Sequence, residues 1–422
     1  MALSFQIVIR GRIMQDGPLK KSLAYNSGQT GVETVDLVEI TRTLMRCPSI
    51  TPVDAGALDV LKECLEGLGF TCTIISFSGD GDGEVKNLYA RLGTRSPNFC
   101  YAGHTDVVPV GNETDWKYPP FDAVVKNGFV HGRGAVDMKG AIAAFLVAVE
   151  RYIKKIKLGD RIKTGSISLL ITGDEEGKGI NGTKKVLQWL EKNGEALDHC
   201  LVGEPTNPKK VGDMVKIGRR GSVNAEITLI GVQGHVAYPE KAKNPLARVG
   251  NLLRELDGYD FDNGTSNFEP SNLEITSIDT GNMATNIIPS EVTVRLNIRF
   301  NDCHTGKELE SWLRDICRKH SGDHAISVDI SGEAFVTTTN RYVELVADAI
   351  QEVVGALPAL STSGGTSDAR FIKDVCPVVE FGLISQTMHR TDECVSIREL
   401  ERLSDVYLAI LGRYFRNGPQ VN

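Results

Sequence analysis

From about Val32 the chain reads VETVDLVEITRTLMRCPSIT, with apolar residues recurring every three or four positions until Pro48 ends the run. ALDVLKECLEGLGF repeats the pattern and closes on Gly67 and Gly69, so two amphipathic helices are expected at the start of the fold. Shorter segments of strand character then alternate with helical ones: FTCTIISF, NLYARLG and NFCYAG, a helix after Asp137, SISLLIT, the helix TKKVLQWLEKNG, and DHCLVGE. That alternation predicts an α/β sheet covered on both faces. Between about Arg219 and Gly332 the period changes. SVNAEITLIGV, NLEITSIDTG and EVTVRLNIRF alternate like half-exposed antiparallel strands, while NPLARVGNLLRELDGY and GKELESWLRDICRKHS read as helices packed on one face. YVELVADAIQEVVG, PVVEFGL and IRELERLSDVYLAILGRYF return to the first style, so an α+β unit is expected as an insertion into the α/β unit. The expected division is an N-terminal extension (1–31), a first part of the main domain (32–218), the inserted domain (219–332) and the second part of the main domain (333–422).

Composition narrows the picture. At 422 residues the chain exceeds what one core usually serves, which agrees with two domains. A formal charge of −7 argues against a nucleic-acid or anionic-membrane surface, and small-molecule chemistry is favoured instead. Nine scattered cysteines with no C-x-x-C pair argue against a disulfide frame or structural zinc knuckle and fit a reducing cytoplasm. AIAAFLVAV, at 141–149, is too short to span a membrane and reads as a core helix. The opening MALSFQIVIRGRIMQDGPLKK sets four basic residues against one acid, but Arg10 interrupts its apolar stretch and no cleavage pattern follows. Its role is unassigned, between an upstream start and a transit peptide.

The chemistry lies at the ends of the expected strands. SISLLIT runs into Asp174-Glu175-Glu176, three acids that repel one another and need either full exposure or a local cation. His104 and Asp106 stand in YAGHTDVVP, Asp137 in GRGAVDMKGA, Glu204 in LVGEPT and His389 in EFGLISQTMHRTDE. In open α/β sheets the functional crevice lies outside the carboxyl ends of the strands, so these segments can converge. Imidazoles and carboxylates without cysteine suit borderline divalent metals, zinc first, and their number suggests two ions. Glu176 then serves as a ligand and Glu175 as general base for a water, while Asp106 can accept the second N–H of His104 and fix its tautomer. GKGINGTKK lacks the spacing of a phosphate loop, and no G-x-S-x-G is present for a serine hydrolase.

With these residues in view, the chain resembles the zinc-dependent M20 amidohydrolase/peptidase family from about Val32 to Phe415, most closely its succinyl-diaminopimelate desuccinylase branch. GHTDVVPVG, GRGAVDMKG, ITGDEEG, VGEPT, GRRGS, GVQGHVAYPEKAKNP, TNIIP, STSGGTSDARFI and EFGLISQTMHRTDE carry the resemblance by order and spacing. It implies a mixed-sheet α/β catalytic domain holding two zinc ions, with cobalt able to substitute. Asp137 would bridge the ions, His104 and Glu204 would hold one, and Glu176 and His389 the other. It also implies that the inserted domain is a dimerisation lid, with His235 and Asn286 stabilising the oxyanion from the partner subunit of a homodimer. Arg219, Arg299 and the loop at Gly365 and Thr366 would bind carboxylates of an acylated diamino-dicarboxylate. A cis peptide between Asp137 and Met138 is implied as well. The implied reaction cleaves N-succinyl-LL-2,6-diaminopimelate, with acetylornithine deacetylase or aminoacylase activity, or a non-catalytic homologue, as alternatives.

Overall fold

The computed structural model describes residues 25–27, 33–79, 82–156, 165–338 and 341–417. Of the N-terminal extension, Tyr25–Ser27 pairs antiparallel with Glu33–Val35; the rest of 1–31 lies outside the described residues.

The first helix, Leu37–Met45, starts where the Asp36 carboxylate accepts the N–H groups of Val38 and Glu39, and it turns Ile40, Leu44 and Met45 inward. The second, Ala57–Gly67, follows Gly56, whose φ of 86° is a left-handed value. An eight-stranded mixed sheet follows. In spatial order its strands are Ala359–Ser361, Met214–Lys216, Val378–Glu380, His199–Val202, Asn98–His104, Ser166–Thr172, Asp82–Leu92 and Thr71–Gly79. The four central strands, from Val378–Glu380 to Ser166–Thr172, run parallel. Every residue of Asn98–His104 and Ser166–Thr172 is buried, which is why both read as largely apolar stretches without a sustained alternation.

Lys139–Lys155, Arg341–Val354 and Ile397–Asn417 cover one face of this sheet, and Thr183–Lys192 and Ala369–Ile372 the other. On the first face Tyr101 stacks on Phe145 with ring centroids 4.1 Å apart, and Tyr407 meets Phe145 edge-on. Because the central strands are parallel, His104, Thr172, Val202 and Glu380 all lie at one edge of the sheet.

The antiparallel unit orders its strands Asn272–Asp279, Glu291–Phe300, Gly221–Ile230 and His324–Gly332. Glu291–Phe300 alternates buried and open positions, and its inward residues pack with Leu252 and Leu256 of Leu246–Asp257 and with Leu309 and Leu313 of Gly306–His320. A capping box between Thr305 and Glu308 starts the latter helix. The chain enters this unit through Gly218–Arg219 and leaves through Phe335–Val336, which pair antiparallel as a two-stranded neck. One residue separates Gly221 from the neck strand; a Cβ there would lie 2.1 Å from the Phe300 ring, so only glycine fits the approach.

Several strands escape the hydrophobic pattern. Met214–Lys216, Ala359–Ser361 and the small sheet of Val124–Lys126, Phe129–His131 and Cys394–Ser396 have three residues each, too few to display a period. No helix among the described residues is long and apolar enough to cross a membrane.

Candidate metal centre

His104 ends its strand 1% exposed, and its Nδ1–H donates to the backbone carbonyl of Asp106 at 2.9 Å. The expected acceptor was the Asp106 carboxylate; that group lies farther off, at 3.6 Å, and instead accepts the N–H groups of Glu175 and Glu176. Asp106 thus does two jobs with different atoms: its carbonyl orients the imidazole and its carboxylate holds the turn that carries both glutamates. Either way Nε2 of His104 faces the cluster.

Asp137 joins the two halves of the site. Its Oδ1 lies 3.1 Å from Nε2 of His104, and its Oδ2 lies 3.0 Å from Nε2 of His389. Glu204 adds Oε1 at 3.7 Å from His104, and Glu176 adds Oε1 at 2.8 Å from His389. The Asp137–Met138 peptide is cis. Donor atoms of His104, Asp137 and Glu176 lie within 4.8 Å of one another, as do those of His104, Glu175 and Glu204. Asp174, the first of the three consecutive acids, turns away from this cluster. Its carboxylate accepts from the Thr172 hydroxyl and the Asn181 N–H and so shapes the turn.

Asp106, Asp137, Glu175, Glu176 and Glu204 therefore gather around two imidazoles. Burial, then the charge of Glu204, pushes Glu175 well above the usual carboxylate range, and burial with the charge of Asp137 does the same to Glu204. Asp106 rises to about 6, chiefly through burial. Burial would raise Asp137 too, but hydrogen bonds from both histidines hold it below the ordinary value. His389 responds in kind: its bonds to Asp137 and Glu176 lift it to about 10. For His104 burial acts downward, yet the bond to Asp137 and the surrounding acids raise it well above the usual imidazole value. Glu204 Oε1 is buried without a hydrogen-bond partner. Excess buried acid, an orphaned carboxylate oxygen and oxygen and nitrogen donors without thiolate fit a divalent cation.

Proton release follows. A ligating imidazole must be neutral, so metal uptake by the stripped protein near pH 7 is expected to expel the proton that His389 holds up to about pH 10. Apparent affinity should climb about tenfold per pH unit for each proton lost. Calorimetric titrations in buffers of different ionisation enthalpy measure that release; uptake without it would remove His389 from the ligand set.

Residues 100–413 match peptidase family M20/M25/M40. The chain belongs to that family. It is 52% identical over 380 residues to a succinyl-diaminopimelate desuccinylase of Rhodospirillum centenum, covering 90% of this chain and 97% of that one. A succinyl-diaminopimelate desuccinylase of Phenylobacterium zucineum is 53% identical over 385 residues, covering 90% of this chain and 99% of its own. Among solved structures, the M20 family metallo-carboxypeptidase Sso-CP2 of Sulfolobus solfataricus superimposes with a TM-score of 0.74 at 19% identity, over 90% of this chain and 99% of that one. YXEP of Bacillus subtilis, a dinuclear metal-binding M20 peptidase, gives 0.64 at 14% identity, over 89% of this chain and 97% of its own. These two likenesses concern the fold.

Within this family member the other expected residues fall into three settings. Arg299 is half-buried and donates from Nη1 to the Thr366 hydroxyl at 3.0 Å, which brings it to the loop that also holds Gly365. Arg219 has a partner that the sequence reading did not name. It is buried in the neck, its Nε donates to Glu380 Oε1 at 2.8 Å, and its Nη2 pairs with Glu380 Oε2. Gly364, with φ of 99°, passes so close that a Cβ would sit 2.9 Å from Arg219 Nη1. Glu380 went unread in the sequence, although an acid inside the apolar run PVVEFGL was the available signal. His235 and Asn286 are exposed and adjacent: Gly234–His235 pairs with Ile287–Ile288, and the Val236 N–H donates to the Asn286 carbonyl at 3.1 Å.

Proposed function

We propose that this chain is a metal-dependent amidohydrolase that cleaves N-succinyl-LL-2,6-diaminopimelate to succinate and LL-2,6-diaminopimelate in the cytoplasm. The observation that carries the substrate is the identity of about half of all positions with desuccinylases along nearly their whole length. The chemistry is supported by Asp137, whose two oxygens each face a different histidine. In this reading Asp137, together with His104 and Glu204 on one side and Glu176 and His389 on the other, would hold divalent ions, zinc by donor type. When bound, the ions supply Lewis acidity and ease the deprotonation of water.

The chain's own residues do the rest. Glu175, in its carboxylate form, would take the water's proton and hand it to the departing amine nitrogen. Hydroxide adds to the amide carbon, the C–N bond breaks, and a carboxylate and a free amine result. Nδ1 of His235 accepts the Ala237 N–H at 3.1 Å, so the neutral ring carries its proton on Nε2, the form needed to donate to an oxyanion. Asn286 stands beside it as a second donor. Val232, Val236, Tyr238 and Met283, exposed by 53%, 46%, 55% and 98%, flank these two residues in sequence and support coverage by a second copy of the chain. The two copies would then complete each other's sites as a homodimer.

Arg299 with Thr366 suits a substrate carboxylate, whereas the Glu380 pair gives Arg219 a mainly structural role in the neck. Arg299→Ala is accordingly expected to raise KM for the succinylated substrate about 10-fold to 100-fold while slowing hydrolysis of a neutral acyl analogue far less. Equal losses on both would make Arg299 structural. The direct test of the whole proposal is substrate choice between succinyl-diaminopimelate and acetylornithine.

A further inference from the structure

Glu393 is fully buried, carries a charge-bearing side chain and has no part in the chemistry described so far. Its surroundings are unusually directed. Oε1 accepts the backbone N–H groups of Val136 at 2.8 Å and Asp137 at 3.3 Å; Oε2 accepts the N–H of Gly134 at 3.2 Å and Nη1 of Arg133 at 2.8 Å. One carboxylate therefore grips the turn that presents Asp137, including the N–H of Asp137 itself. Glu393 also ends the loop that begins at His389, where His389 and Asp392 have left-handed φ values of 60° and 62°. Its own carbonyl accepts the Gly132 N–H at 2.8 Å, and Cys394 then pairs with His131, so the two segments are stitched along their length. Arg133 closes the arrangement. It is 3% exposed, donates to the Arg390 carbonyl and lies over the Trp116 ring.

We infer that Glu393 is a positioning residue that fixes the spacing between Asp137 Oδ2 and His389, and thereby builds the half-site those two share with Glu176. The other half-site depends on it less. His104 is held by sheet hydrogen bonding and Glu204 lies two residues beyond a strand end, whereas His389 comes from a loop whose course Glu393 anchors. Such outer partners commonly govern metal affinity by about 10-fold to 100-fold. Charge is required as well as shape. Four donors converge on the two oxygens, and in Glu393→Gln the amide N–H₂ would face two of them.

This inference rests on the two-ion reading. It is tested by titrating metal-free protein with Zn²⁺ and following stepwise binding by calorimetry, with His389→Ala identifying which step belongs to its half-site. In Glu393→Gln that step should weaken at least about tenfold more than the other. Rescue is expected in Glu393→Asp combined with no other change only in part, since the shorter acid keeps the charge but loses reach. Arg133→Met, which leaves the carboxylate and its three backbone donors, should weaken the same step by a smaller factor. That variant decides the matter if Glu393→Gln does not fold: an unaltered His389 step in Arg133→Met would then overturn the proposal. Equal weakening of both steps in Glu393→Gln, or none, would overturn the positioning role alone. A single binding event in the unaltered protein would overturn the two-ion reading itself.

Discussion

Glu175→Gln should retain its metal and lose at least about 10²-fold in kcat, because an amide cannot accept the proton of the attacking water. The adjacent Glu176→Gln should behave in the opposite way. Glu176 Oε1 sits 2.8 Å from Nε2 of His389, inside the candidate ligand cluster, so its loss falls on metal binding first. Both backbone N–H groups are held by Asp106, which keeps the turn in place when either side chain changes. Metal content measured beside turnover separates the two roles. A fully active Glu175→Gln protein would remove the base assignment, and a metal-depleted one would make Glu175 a ligand.

His235→Ala is expected to lower kcat by about 10²-fold or more with little change in metal content, since it deletes a donor that acts only on the developing oxyanion. The ring is exposed and lies in the antiparallel unit, hydrogen-bonded only to its own turn among the contacts described. His235 is therefore expected to serve the site of a second copy. Mixing inactive His235→Ala subunits with inactive Glu175→Gln subunits under exchange conditions should restore activity, because one site of each mixed dimer then has Glu175 and the partner's donor intact. Heterodimers that form but remain inactive would contradict action across the interface.

Much of this was legible in the residues because the physics is local. Asn98–His104 and Ser166–Thr172 are buried on both faces, so their apolar runs stand out and the polar residues that follow mark the sheet edge. The two faces of Glu291–Phe300 differ, so its alternation stands out equally well. What was not legible depends on partners distant in sequence. Arg219 gives no local sign of Glu380, 161 residues away, to which its Nε donates. Asp106 looks like the orienting carboxylate until its carbonyl takes that role and Glu175 and Glu176, about 70 residues on, claim the side chain. Glu393 follows His389 closely in the chain, but nothing local shows that it grips a turn more than 250 residues earlier. The three-residue strands fail for a simpler reason, being shorter than the period that would reveal them.

Zinc-loaded protein should be offered N-succinyl-LL-2,6-diaminopimelate and N-acetylornithine side by side, with amine release followed for each. Release of succinate and LL-2,6-diaminopimelate is expected with a kcat/KM at least about 10²-fold above that for acetylornithine, since only the succinylated compound presents the extra carboxylate for Arg299. Equal rates, or preference for acetylornithine, would contradict it.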